Sequence, residues 1–161
     1  MANFDDQIMG LTGLTINGSS SAPSQSELTT FLTDGAKEII NILPPKLKEK
    51  CMTETTLNNS SPTMDLDAVG DILHVTRLSA NSGGYRIPCR KVASMYGDLT
   101  GDSSSLYYAT VTDPAYWIHS SSDATILSVN PTPEATQTAI VYHISYPSVA
   151  YNNSIIAKAL F

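Results

Sequence analysis

The chain has 161 residues, 42% of them hydrophobic and only 15% charged, and it carries a net charge of −6. A chain of this length buries roughly 70% of its unfolded surface as one domain, so it needs neither disulfides nor metals to build a core. The acidic balance argues against broad nucleic-acid binding, which requires concentrated Lys and Arg to neutralise phosphates. No apolar run approaches the roughly 20 residues of a membrane span.

Residues 1–23 read as a flexible lead: weakly apolar positions with a short helix near residues 4–10, then a Gly/Ser/Pro run. The opening Met1-Ala-Asn-Phe-Asp-Asp6 is acidic and lacks the basic-then-apolar order of a signal peptide, so a chain made in a cytoplasm is expected. Residues 24–51 form a helical segment. Ser24-Gln-Ser-Glu27 fits a capping box, in which hydroxyl and carboxylate satisfy amides that a helix start leaves open. Leu28, Phe31, Leu32, Ala36, Ile39, Ile40 and Leu43 then recur at the spacing of one helical face, predicting an amphipathic helix over about 26–43. Pro44-Pro45 stops it, and Pro45 in a first-turn position starts a further turn or two.

From residue 52 to 147 the period changes to that of strands. Met52–Leu57, Met64–Leu66 and Ile72–Leu78 alternate with turn residues, and Asn81-Ser-Gly-Gly84 predicts a hairpin into Tyr85–Cys89. Arg90–Tyr96 favours a short helix and 97–105 a polar loop. Between Leu106 and Tyr146, β-branched and aromatic runs are punctuated by Asp113-Pro114, Pro131-Thr-Pro133 and Tyr146-Pro147, the pattern of an antiparallel meander. Asn152-Asn-Ser154 caps the start of a C-terminal helix, from about 154, through Ile155, Ile156, Ala159, Leu160 and Phe161. The expected fold is α+β, one domain: a helical body with an antiparallel β-rich insertion.

Groups that do chemistry are dispersed. There is no Walker loop, nucleophile elbow, His-Glu-x-x-His or dinucleotide fingerprint. His74, His119 and His143 all fall on predicted strands among apolar neighbours, where a local hydrogen-bond partner explains them better than catalysis. Asp65, Asp67 and Asp71, like Asp98 and Asp102, lack the ligand order of a calcium loop and suit Asp-rich turns. Cys51 and Cys89 do not fit paired zinc ligands and are read as free thiols in a reducing cytosol. Lys46, Lys48 and Lys50, and Arg86, Arg90 and Lys91, read as solvated faces. No catalytic residue, metal or cofactor is expected. Tyr107, Tyr108, Tyr116, Trp117, Tyr142 and Tyr146 form an aromatic series suited to a protein- or glycan-binding face, but the same residue types are favoured in strands generally, and core packing is the reading to beat.

The order of elements resembles the head-to-tail adaptor (connector) proteins of tailed bacteriophages. The resemblance is carried by Ile39-Ile-Asn-Ile-Leu-Pro44, Asp71-Ile-Leu-His-Val-Thr-Arg77, Arg86-Ile-Pro88, Leu106-Tyr-Tyr-Ala109, Asp113-Pro-Ala-Tyr-Trp-Ile118, Leu127-Ser-Val-Asn-Pro-Thr-Pro133 and Val141-Tyr-His-Ile-Ser-Tyr-Pro147. It spans roughly residues 26–161, and its motifs are structural. It implies a virion structural protein, assembled in the host cytoplasm into a ring of subunits, commonly twelve, at the head–tail junction. Such a ring docks on the portal, receives tail proteins and leaves a passage for DNA without reading its sequence. Family members usually continue into further helices beyond the position of Phe161. Subunit contacts are then expected from Leu28, Phe31, Leu32, Ile39 and Ile40 on the helix and from Tyr108, Tyr116 and Trp117 toward tail components. The competing expectation is a tail-associated β-rich binding module for glycan or protein, which requires Tyr116 and Trp117 to lie exposed in a groove.

Overall fold

The computed structural model describes residues 4–13, 23–79, 84–147 and 149. The fold is mixed α and β, and the chain divides into two compact units, residues 1–51 with 146–161, and residues 52–145.

In the first unit, α1 covers Phe4–Thr12 and α2 covers Gln25–Ile42, with a single turn, α3, at Pro45–Lys48. The start of α2 is fixed by the sequence that predicts it. Ser24 Oγ accepts from the Glu27 N–H while Glu27 Oε2 accepts from the Ser24 N–H at 2.9 Å. The Glu27 carboxyl is held below its ordinary value by these hydrogen bonds from the Ser24 backbone and side chain. The helix ends where Pro44 follows Leu43, whose backbone has left helical geometry. The returning segment lies along α2: Thr33 Oγ1 donates to the Val149 carbonyl at 3.2 Å and accepts from its N–H, and Tyr146 donates to Asn41 Oδ1 at 2.9 Å. The expected C-terminal helix from about 154, and most of the Gly/Ser/Pro run, lie outside the described residues.

The second unit is a β-sandwich. Its strands are β1 (Met52–Leu57), β2 (Thr63–Asp65), β3 (Val69–Leu78), β4 (Arg86–Pro88), β5 (Arg90–Lys91), β6 (Ala115–Ser121), β7 (Ala124–Asn130) and β8 (Ala139–Ser145). One sheet has the order β1-β8-β3-β4 and the other β2-β7-β6-β5. Alternation along each strand sends Leu57, Val75, Ala139 and Val141 from the first sheet, and Met64, Leu127 and Val129 from the second, into one buried cluster with Cys89. A smaller cluster of Val92, Ala109 and Ala115, with Tyr96 and Tyr107 against it, covers part of the other face of the second sheet.

Three sequence expectations are corrected here. The meander over 106–146 is not one: β6 and β7 form a hairpin, but β8 crosses to the other sheet and inserts between β1 and β3. Leu106–Thr112 is not a strand, because its backbone is engaged elsewhere. Arg90 Nη2 donates to the Tyr107 and Tyr108 carbonyls at 2.7 and 2.8 Å, and the Ala109 N–H reaches the Thr100 carbonyl. Arg90–Tyr96 is not a helix either. The N–H groups of Arg90 and Val92 bond the Pro114 and Tyr116 carbonyls, so tertiary pairing with β6 overrides helix propensity and leaves one 3₁₀ turn at Ser94–Tyr96. The hairpin expected between Leu78 and Arg86 does form the antiparallel β3–β4 pair.

Candidate interaction surfaces

The face of α2 splits. Phe31, Ile39 and Ile42 are 66%, 59% and 81% exposed, whereas Leu28 and Leu32 are half-buried and Ile40 is buried. Ile39 and Ile40 sit about 100° apart around the helix, so a single apolar run in the sequence serves two directions. Ile40 belongs to the fold's own packing and is unavailable to a partner. Ile42, exposed beside Phe31 on the helical wheel, extends the outward row. Sequence periodicity alone placed Leu28, Phe31, Leu32, Ile39 and Ile40 together and left Ile42 out, because a broad apolar stripe does not say which edge of it is covered.

The aromatic candidates of the sandwich also separate. Tyr116 packs against the main core, and burial, reinforced by nearby Cys89, lifts its phenol above the ordinary value. Trp117, one residue on, points to the opposite face and lies half-buried over Gly97, where an added Cβ would stand 2.6 Å from the indole Cδ1. It stacks on His119 with ring centroids 6.3 Å apart. Tyr108 is exposed, as is Leu106 at its full area, on the segment that Arg90 holds. Thus Tyr108 is free to meet a partner, Trp117 offers part of its ring, and Tyr116 is committed to the core.

The histidines and the Asp65–Asp67 pair have structural roles. His143 is buried on β8, with Nε2 2.9 Å from Thr55 Oγ1 on β1. Its Nδ1, like His119 Nδ1, has no hydrogen-bond partner, which the Nε2–H tautomer tolerates best because only a lone pair is left bare. His74 stacks on Tyr142 with centroids 4.0 Å apart. Asp65 Oδ1 accepts from the Asp67 N–H and Asp67 Oδ1 from the Thr125 N–H, so these acids tie a turn. Among the described residues no three of His, Cys, Asp and Glu come together as a metal would require.

One residue that sequence reasoning passed over organises a whole loop. Arg77 on β3 is 1% exposed. Its Nε donates to the Pro131 carbonyl at 2.9 Å, Nη2 to the Thr132 carbonyl at 3.2 Å, and Nη1 to the Leu78 carbonyl and to Gln137 Oε1 at 3.3 and 3.1 Å. The planar fork thereby clamps both ends of the 131–137 connection. The available signal was its position in the strand alternation, two residues after Val75. Cys89, close by, is a buried free thiol pushed up to about 12 by desolvation, with Arg77 opposing that rise. It is a packing residue, not a nucleophile.

No protein-family model matches this chain, and no curated protein matches it significantly.

Proposed function

We propose that the chain is a virion structural protein: a head-to-tail adaptor of a tailed bacteriophage that forms a ring between portal and tail and works by subunit packing, without catalysis. The observation that carries this reading is the outward row of Phe31, Ile39 and Ile42 on α2, a concentration of apolar surface on one helix that favours burial against another protein. Its organisation would be a helical body, with α2 and a C-terminal helix from about 154, interrupted in sequence by the sandwich. The boundaries of the two compact units at residues 51/52 and 145/146 support that division. A passage through which DNA slides should not grip phosphates, and the net charge of −6 agrees. The rival glycan-binding module is weakened by Tyr116, which faces the core, and by Trp117, which lies over Gly97.

The test is to locate the chain in purified particles by mass spectrometry and low-resolution imaging, with the mass of the isolated protein measured in parallel. A ring at the junction of head and tail is expected. A persistent monomer that is absent from particles would sink the reading.

A further inference from the structure

Among the described residues the first sheet has two unpaired edges, β1 and β4, and the hydrogen-bond pattern says which backbone groups each presents. On β3, the Leu78 N–H bonds the Thr138 carbonyl, whereas the Ser79 N–H bonds Tyr85 and the Cys89 N–H bonds Val75. Antiparallel ladders alternate strictly. Ile140 and Tyr142 therefore turn their backbones toward β3, while Ala139, Val141 and His143 turn theirs toward Leu57, Thr55 and Thr53 of β1. What remains directed away from the sheet is the N–H and C=O of Met52, Glu54 and Thr56 on β1. On β4, Ile87 is turned toward Arg77, so Arg86 presents both groups outward and Pro88 its carbonyl alone.

These edges complement one another in direction, face and charge. Three successive antiparallel pairings separate β1 from β4, so the two edge strands run in opposite senses. A second copy set alongside in the same orientation would thus bring its β1 antiparallel to this β4. The side chains of Glu54 and Arg86 lie on the same face of the sheet, since the register connects Glu54 through Tyr142 to His74, and Arg86 to Leu78, all at even positions along the ladder. Both are exposed. Edge strands commonly carry Lys, Pro or a bulge that blocks such addition. β1 has none of these, and its six pairs with β8 run without a register shift.

We propose that the partner of the β1 edge is the β4 edge of a second copy of this chain, with Glu54 opposite Arg86 and Met52 opposite Pro88. In that register the Met52 N–H meets the Pro88 carbonyl, Glu54 and Arg86 exchange two backbone bonds, and Thr55 lies opposite exposed Tyr85. The contact is head-to-tail, which builds a ring when the rotation between copies closes and an open filament when it does not; the adaptor reading requires the closed form, with a continuous sheet running through it. A two-fold pairing of β1 with itself would yield a closed pair and stop. The inference rests on the self-association in the proposed function and names the surface that carries it.

The experiment is sedimentation velocity on the whole chain over a range of concentrations, at low salt, with three charge variants. Glu54→Arg and Arg86→Glu should each weaken association about tenfold, the scale of a switched cross-strand charge pair, and the double variant should recover it. Thr56→Pro provides an independent check: its N–H points away from β8, so the substitution should abolish association while leaving the monomer's unfolding midpoint nearly unchanged. Single reversals that associate like the wild type, or a double variant that fails to recover, overturn the edge pairing and leave self-association through α2 standing. A wild type that is monomeric at every concentration also overturns the pairing, and the adaptor reading is then decided by the particles.

Discussion

Arg77 provides the sharpest test of how the sandwich is held together. Replacing it with Met keeps an aliphatic stem of similar reach beside Val75 and the core, and removes all four hydrogen bonds to Pro131, Thr132, Leu78 and Gln137. A hydrogen bond from a charged donor is worth about 1.5–3 kcal/mol, and each buried acceptor left without its donor costs about 1–3 kcal/mol. Thr132 is exposed, so its carbonyl can turn to water and recover part of that loss. We therefore expect about 3 kcal/mol, against about 1–3 kcal/mol for a single orphaned buried group. Urea unfolding followed by the fluorescence of Trp117, the only tryptophan, reads the sandwich directly. The midpoint should fall with an unchanged slope, and the thermal midpoint should drop by roughly 10–20 °C for a unit of this size. Arg77→Lys should recover less than half the loss, because an ammonium cannot reach carbonyls on two sides of a planar fork. A loss for Arg77→Met below about 1 kcal/mol would refute the clamp and show that the loop is held by burial of Pro133 alone.

Gly97→Ala drives a methyl into the Trp117 ring, with only 2.6 Å to Cδ1 and 2.8 Å to Cε2. It should cost about 1–3 kcal/mol and shift the tryptophan emission to the red as the indole moves toward water; an unshifted spectrum would mean the indole does not rest there. Of the two free thiols, Cys51 should react with a thiol reagent in the native protein. Cys89, buried and raised to about 12, should react only on unfolding; equal native rates for the two would contradict this packing. Ser24→Ala should cost α2 about 1 kcal/mol, seen as lost helicity by circular dichroism. Because the folded Glu27 carboxyl lies below its ordinary 4.5, the stabilisation from its cap is fully present above that value and is lost as pH falls through the folded one. A Ser24→Ala variant that matches the wild type at neutral pH would remove the capping argument.

What the sequence determined by itself was local. The Ser24–Glu27 box, the stop at Pro44, the strand over Ile72–Leu78 and its hairpin into Arg86 all depend on groups within a few residues of each other, so spacing and residue type suffice. Tertiary structure decided the rest. Alternation put Tyr116 and Trp117 on opposite faces of a strand, but only packing against the first sheet determined that Tyr116 faces the core and Trp117 faces Gly97. The same holds for Ile39 and Ile40, neighbouring positions in one stripe, of which the folded chain buries Ile40 and leaves Ile39 exposed. The insertion of β8 between β1 and β3 had no signature in the punctuated run 106–146, because pairing across many residues depends on which apolar faces can be buried together. Propensity and period describe each strand separately; its neighbours are chosen by the packing of Leu57, Val75 and Val141 against Leu127 and Val129.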